Sequence, residues 1–453
     1  MKDIHSYTYY YFIGIGGIGM SALARYFKFS GAQIYGYDKT STQLTQKLTE
    51  EKIVITYKDE ISEIPTNLNP DNTLVIYTPA IPKDSNIKKY FQKSGYQLLK
   101  RSKVLGLITQ TTQCLAIAGT HGKTTTSTLL GYLCKYANLP ATAFLGGISV
   151  NYNTNFIYNG NQISVVEADE FDRSFLSLYP DMAVITSTDA DHLDIYGDTK
   201  HVLNSFNEFA NLVPETGFLL VKKGVTIKAK HYTYSAYEKA DYYAKNIQVV
   251  KDTVEFDLIT PEISIKHLTL HLPGKHNVEN AVAALSIGLK IGIDPEILRR
   301  ALASFKGVKR RFTKQTFTNG KVYIDDYAHH PTELNAAINA VRDLYPEKKL
   351  LTVFQPHLYT RTRDFAEDFA RSLNKTDELI LLDIYPAREL PIEGITSEWL
   401  AQKIPNPNKN ITSLGKALKL IKSKEFDILL TVGAGNIDTL YEPLIEWLHE
   451  AEI

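Results

Sequence analysis

Two cysteines, Cys114 and Cys134, are all that the 453 residues contain. That number excludes a disulfide framework and a cysteine-rich metal site. Excess charge of either sign is also missing, because 50 Lys and Arg stand against 50 Asp and Glu. A balanced chain gives no electrostatic reason for duplex nucleic acid or an anionic membrane surface as its main partner. No run approaches the ~18 uninterrupted apolar residues of a bilayer span. The opening Met1-Lys2-Asp3-Ile4-His5-Ser6 carries an acid where a signal peptide has an apolar core. A cytoplasmic location without membrane insertion is therefore the expectation. No Ser-His-Asp order, Cys-His pair or H-E-x-x-H motif occurs, so hydrolysis by a covalent nucleophile or by zinc has no support. Solenoid repeats and low-complexity stretches are absent as well.

What the chain does have is an ordinary globular balance, 44% hydrophobic and 22% charged residues, which excludes extensive disorder. At ~150 residues per domain the length suggests about three domains. The 28 tyrosines are assigned to packing and to polar-tipped surfaces. The first segment, 1–107, opens with the strand formers Tyr9–Ile13, then Gly14-Ile15-Gly16-Gly17-Ile18-Gly19, a helix from Met20 to Phe29 and a strand Gln33–Tyr37 ending at Asp38. That is the order of a dinucleotide-type βαβ unit. In the second segment, 108–310, the apolar run Gln113–Ala118 leads into Gly119-Thr120-His121-Gly122-Lys123-Thr124-Thr125 and a helix to about Tyr136. Strands Ile163–Val166 and Met182–Thr186 run into Glu167-Ala168-Asp169-Glu170 and Asp189-Ala190-Asp191-His192. The third segment, 311–453, has strands at Val322–Ile324, Leu350–Phe354, Leu379–Leu382 and Ile428–Val432. Strands alternating with helices predict an α/β chain with parallel sheets in all three segments, whose ligands bind beyond the carboxyl ends of the strands.

The chemistry-bearing residues fall at those strand ends. A phosphate cradle needs glycines that let backbone N–H groups converge, a following helix, a lysine for the outer phosphates and a hydroxyl for magnesium. Gly122-Lys123-Thr124 supplies these. The usual first glycine of such a loop is replaced by Ile117, and Gly119 can take over the turn. Magnesium wants further oxygen ligands, for which Glu167 is the natural candidate and His192 a less usual one. The Gly14 turn with Asp38 some twenty residues on suits an NAD-binding domain and a nucleotide diphosphate sugar equally well. Asp38 reads either as an acceptor for a ribose hydroxyl or base, or as a plain turn residue. In the third segment Asp326, Tyr327, His329 and His330 follow one strand, and Arg361 and Arg363 follow the next. An arginine at a strand end suits a carboxylate. Of the adjacent histidines one is expected to pack, and Arg363 reads better as part of a local ion pair.

With these residues in hand, the chain resembles the Mur ligase family over nearly its whole length. The resemblance rests on Gly14–Met20, Gly119–Thr126, Glu167–Glu170, Asp191-His192, Leu272–Ala281, Arg310–Phe312, Asp325–Glu333 and Phe354–Asp364, eight motifs in family order. It implies a UDP-sugar-binding Rossmann-like domain, a central P-loop ATPase-type domain and a C-terminal Rossmann-like domain that docks the amino acid. Gly119, Thr120, His121, Gly122, Lys123, Thr124 and Thr125 would form the ATP loop, with Thr124, Glu167 and His192 at Mg2+. Gly14, Gly16, Gly17, Gly19 and Asp38 would hold the UDP end of the sugar. Asn280, Arg311 and Asp326 would lie around ATP, and Tyr327, His329 and Arg361 would meet the amino acid. Lys123, Glu167, His192 and His329 would carry catalysis. Phe171-Asp172-Arg173-Ser174-Phe175 fits the alanine-adding branch, which implies UDP-N-acetylmuramate and L-alanine as partners, a place in cell-wall precursor synthesis, and a monomer or weak homodimer. Members often carry arginine where this chain has Leu358, which shifts weight onto Arg361. No lysine here matches the carbamylated lysine of other members.

Overall fold

The structure is a computed structural model that describes residues 2–189, 199–387 and 389–450. His192, and with it the expected third metal-side group, lies outside the described residues. The chain divides into two compact units, one built from residues up to Ala244 with Leu258–Lys266 and Glu279–Phe305, the other from Lys245–Asp257, His267–Val278 and the chain from Lys306 on. Among the described residues no helix is long and apolar enough to cross a membrane.

In the first unit, β1 (Tyr9–Ile13), β2 (Gln33–Tyr37), β3 (Val54–Thr56), β4 (Thr73–Tyr77) and β5 (Gln97–Lys100) form a parallel sheet in the order β3-β2-β1-β4-β5. The order reverses between β1 and β4, so the loop leaving β1 opens on the crevice where such sheets bind ligands. Helix α1 (Ile18–Phe29) starts in that loop, with Gly17 as an extended N-cap. Helices α2 (Gln43–Glu50), α3 (Asn86–Lys93) and α4 (Arg101–Thr109) follow. Residue 107, the expected edge of the first segment, falls inside α4.

A ten-stranded sheet comes next. Its members are β6 (Gln113–Ala118), β7 (Ala141–Ser149), β8 (Thr154–Tyr158), β9 (Ile163–Ala168), β10 (Met182–Ile185), β11 (Phe218–Lys222), β12 (Tyr232–Ser235), β13 (Tyr242–Val250), β14 (Thr253–Ile259) and β15 (Ser264–Leu270). The order is β15-β14-β13-β12-β11-β10-β6-β9-β7-β8. Its centre is parallel, and β7 and β8 form an antiparallel pair that the sequence pattern did not announce. Helix α5 (Lys123–Tyr136) rises from the end of β6 and is buried along nearly its whole length, which accounts for its weak amphipathic pattern.

One apolar core runs from the five-stranded sheet into the ten-stranded one, through Phe12, Leu23 and Phe27 to Phe144, Phe156, Val166 and Ile185. Tyr26 of α1 packs on Phe144 and Phe156 at ring-centroid distances of 5.5 and 6.5 Å. Beside them Arg25, 3% exposed, holds Glu51 through two hydrogen bonds of 2.7 and 2.8 Å and also bonds Asn155 of β8. Asn155 in turn donates to Ser21 at 2.9 Å. A buried guanidinium is tolerable only when paired and fully hydrogen-bonded in this way.

The second unit contains β16 (Thr313–Thr316), β17 (Val322–Asp326), β18 (Leu350–Phe354), β19 (Glu378–Leu382), β20 (Lys409–Thr412) and β21 (Ile428–Val432), in the order β16-β17-β21-β18-β19-β20. All its pairs are parallel except β16 with β17. The central strands are buried on both faces, and this is why Leu350–Phe354 and Ile428–Val432 read as continuous apolar runs.

Candidate active site

The loop between β6 and α5 is the densest part of the site. Gly122, the N-cap of α5, sits at φ 84°, a left-handed conformation costly for any residue with a Cβ. Gly119, at φ 129°, makes the turn that an earlier glycine makes in the common form of the loop. The end of β10 braces the loop. Ser187 Oγ lies 2.7 Å from Thr120 Oγ1 and accepts from the His121 N–H at 2.9 Å, while Thr186 Oγ1 donates to the Ala118 carbonyl at 3.0 Å. A Cβ on Gly122 would stand 2.6 Å from Asn280 Oδ1, so Asn280 leans on the mouth of the loop. Thr125 is buried in the first turn of α5.

Lys123 and Thr124 leave the same turn and meet two different acids. Thr124 Oγ1 donates to Glu167 Oε1 at 3.1 Å, and the other carboxylate oxygen accepts from the Gly146 N–H at 3.1 Å. Lys123 Nζ pairs with Glu170 Oε2 at 2.7 Å, a carboxylate only 2% exposed. Burial works against the lysine's charge, but Glu170, Asp169 and Glu167 together outweigh it and hold its pKa above the usual lysine range. The ammonium is therefore present at every physiological pH. Glu170 was within reach of sequence reasoning, since it belongs to the acid cluster after β9. Gly146, Thr186 and Ser187 gave no signal, because each acts through a backbone group or a short hydroxyl contributed by a distant strand.

The glycine loop after β1 lies in the same unit. Asp38 Oδ2 accepts from the Gly16 N–H at 2.7 Å, and Asp38 Oδ1 from the Thr40 N–H at 3.2 Å. Asp38 thus shapes the loop directly. A cavity of about 270 Å³ runs from Gly17 and Gly19 past Arg101, Leu105 and Phe144 to Glu167 and Asp169. It joins the first glycine loop to the Thr124–Glu167 pair.

In the second unit the strand-end residues form their own cluster. Asp326 accepts from the Phe312 and Ala328 N–H groups, both at 2.7 Å, and ties two turns together. Burial pushes its carboxyl up to about 6, while the Arg311 guanidinium and the two N–H groups pull the other way. The Arg310 and Arg311 guanidinium groups each lie over the Tyr327 ring, 5.2 Å from its centroid. His329 Nδ1 is 3.0 Å from the Tyr327 carbonyl and 3.3 Å from Glu333 Oε2. Glu333 also faces Arg311 at 3.6 Å. His330 is the histidine that packs, capping the helix Pro331–Leu344 and lying against Phe365. Arg361 is buried, its Nη1 3.2 Å from His357 Nδ1, and the His357 ring stacks on Tyr385 at 5.7 Å. Leu358 is the buried N-cap residue of the short helix Tyr359–Asp364, at φ 71°. Arg363 is exposed and pairs with Asp364 at 2.7 Å. His357 and Glu333 belong to this cluster, and sequence reasoning did not select them.

Three family models match consecutive stretches of the chain. They are the Mur ligase family catalytic domain over residues 9–113, the Mur ligase middle domain over 117–288, and the Mur ligase glutamate ligase domain over 310–435. A UDP-N-acetylmuramate–L-alanine ligase of Christiangramia forsetii is 51% identical over 454 residues, with 100% of both chains covered. The chain belongs to the Mur ligase family. Another relative of the same name, from Flavobacterium psychrophilum, is 53% identical over 96% of each chain. Among solved structures, the UDP-N-acetylmuramate–alanine ligase of Thermotoga maritima superposes with a TM-score of 0.82 at 25% identity, covering 97% of this chain and 98% of that one. A murein peptide ligase from Psychrobacter arcticus shares the fold at TM-score 0.70 and 20% identity, covering 97% and 98%. The three-domain α/β architecture expected from the eight motifs is that of the family. A Mur ligase is an ATP-dependent ligase.

Proposed function

We propose that the protein joins L-alanine to the carboxylate of UDP-N-acetylmuramate at the expense of ATP, through an acyl phosphate, as a step of peptidoglycan precursor synthesis. Full-length identity to alanine ligases supports the substrates. The observation that carries the chemistry is that Lys123 and Thr124 leave one turn to meet Glu170 and Glu167, and that Glu167 lines one end of a cavity whose other end is the Gly17–Gly19 turn. In this reading residues 1–107 hold the UDP-sugar, 108–310 the ATP and 311–453 the amino acid.

Among the described residues no three His, Cys, Asp or Glu side chains form a metal cluster by themselves. A hard oxygen pair, Thr124 Oγ1 and Glu167, nevertheless fits Mg2+, which usually keeps waters and substrate phosphates as its other ligands. Thr124 and Glu167 would hold it, and bound there it would neutralise charge on the phosphoryl group. Lys123 does the same from the other side. The sugar carboxylate and the γ-phosphate are both anions, and their approach requires cations fixed in advance. Lys123 must leave Glu170 for the phosphate, and the carboxylates around it keep it charged until then.

The second stage needs an unprotonated amine. A proton on His329 Nδ1, directed at the Tyr327 carbonyl and Glu333, makes Nε2 the basic nitrogen that takes a proton from the attacking amine. Arg361, held by His357, suits the alanine carboxylate. The deciding experiment is the product mass after incubation with UDP-N-acetylmuramate, ATP, Mg2+ and an equimolar amino-acid mixture. Addition of one alanyl residue with stoichiometric ADP supports the proposal. ATP hydrolysis without a new amide, or addition of a different amino acid, overturns it.

A further inference from the structure

The cavity between the first glycine loop and Glu167 has an unusual charge balance. Glu167 and Asp169 present carboxylates to it, yet its expected occupant carries a diphosphate and a carboxylate of its own. Among the described residues that line it, Arg101 is the one cation. Arg101 is also the first residue of α4, where the helix dipole disfavours positive charge. Lys100 precedes it, Lys103 follows in the same turn, no acid stands in that turn and no side chain caps the helix. Lys100 is engaged with Asp172, whereas Arg101 reaches its nearest acid, Asp169, only at 3.9 Å. Stability alone gives no reason for this arrangement.

The geometry of Gly19 gives one. A Cβ built on Gly19 would lie 2.9 Å from Arg101 Nη1 and 3.3 Å from its Cδ and Cζ. The guanidinium therefore crosses the backbone of α1 where a side chain would otherwise stand. The last glycine of the motif makes room for the arginine, and the arginine is held at the wall of the cavity, between the turn at Gly17 and the acids at its far end.

We propose that Arg101 is the anion anchor for the UDP-sugar acid, gripping its carboxylate or its diphosphate with the two-pronged guanidinium. The proposal rests on the reading of UDP-N-acetylmuramate as the substrate. Arg101 fixes the sugar at a point from which its carboxylate faces Thr124 and Glu167. It also offsets the repulsion that Glu167 and Asp169 exert on an incoming anion.

The test is steady-state kinetics of the full-length enzyme and of Arg101→Ala, Arg101→Lys and Gly19→Ala, with folding checked by thermal melting. Arg101→Ala is expected to raise KM for UDP-N-acetylmuramate at least 30-fold while KM for ATP and for alanine stays within threefold. Arg101→Lys, which keeps a charge but loses the fork, should fall between. Gly19→Ala, which displaces the guanidinium and leaves its charge in place, should move the same KM in the same direction. UDP-N-acetylglucosamine, which has the diphosphate and no carboxylate, serves as the inhibitor that separates the two anions. An inhibition constant weakened in step with KM assigns the diphosphate, and an unchanged one assigns the carboxylate. A folded Arg101→Ala enzyme with KM for the sugar within threefold of wild type overturns the anchor, as does an equal rise in all three KM values. If that variant does not fold, unchanged KM in both other variants overturns it. Wild-type enzyme that does not use UDP-N-acetylmuramate refutes the substrate reading and the anchor with it, whereas an active wild type with an indifferent Arg101 refutes the anchor alone.

Discussion

Gly146→Ala perturbs the proposed magnesium site without replacing a metal ligand. Gly146 is not in the left-handed backbone region, so an alanine there meets no conformational penalty of its own. Its Cβ would instead stand 2.1 Å from Glu167 Oε2, 2.6 Å from Cδ and 2.8 Å from Oε1. Those distances are below any real contact, and the carboxylate must swing away. Doing so breaks its hydrogen bonds from the Gly146 N–H and from Thr124, both 3.1 Å. Hydrogen bonds to a charged group are worth about 1.5–3 kcal/mol each. Loss of such supporting contacts typically costs about 10–100-fold in metal affinity or activity. The expected result is a 10–100-fold higher Mg2+ requirement for ADP formation, partly recovered at high Mg2+, with the melting temperature nearly unchanged. The assay is a Mg2+ titration of product formation at saturating substrates. A Mg2+ dependence identical to wild type in the folded variant would falsify the assignment of Glu167 to the metal.

Lys123→Ala should abolish turnover yet leave UDP-sugar binding nearly intact by calorimetry, and equal loss of both would refute the division of labour. It also takes the ammonium away from the buried Glu170 carboxylate, and breaking such a buried pair costs about 3–5 kcal/mol, so Lys123→Ala with Glu170→Gln should melt higher than Lys123→Ala while remaining inactive. A folded His329→Ala enzyme should lose about 10²–10⁴-fold in kcat, along with any limb of the pH profile that reports the histidine, and normal activity would remove the proton-acceptor role. Asp326 titrates near 6 in the folded chain and near 4 when unfolded, so the folded state binds the proton more tightly. Its contribution to stability is therefore full below about 4 and is lost as pH rises through about 6. The wild-type-minus-Asp326→Asn difference in denaturation midpoint should fall across that window, and a flat or rising difference would contradict the sign.

The parallel core was legible because its strands are short apolar runs. The predicted Gln33–Tyr37, Gln113–Ala118, Leu350–Phe354 and Ile428–Val432 coincide with β2, β6, β18 and β21. The arm from β11 to β15 was overlooked. Strand β13 is mostly exposed beyond its first residues and carries little apolar signal. Strand β14 shows a clean alternation, Val254, Phe256 and Leu258 inward, that a period-two count would have found. In the site, residues with a chemical signature were visible in the sequence: the Gly122-Lys123-Thr124 loop, Glu167, and the run Asp326 to His329. Partners that act through backbone groups or shape were not, because pairs such as Gly146 with Glu167, or Gly19 with Arg101, are separated by 21 and 82 residues and meet only through tertiary packing.

The seam in which Arg25, Asn155 and the rings of Tyr26, Phe144 and Phe156 interlock bears on what counts as a separable piece of this chain. By ancestry, residues 9–113 and 117–288 are distinct modules. Energetically they share one apolar interior, so a truncation after 107 would cut a helix and leave the aromatic side of β7 and β8 bare to water. Inherited modules and cooperatively melting blocks have different borders in this molecule, and an expression fragment designed on the former would meet the solubility problems set by the latter.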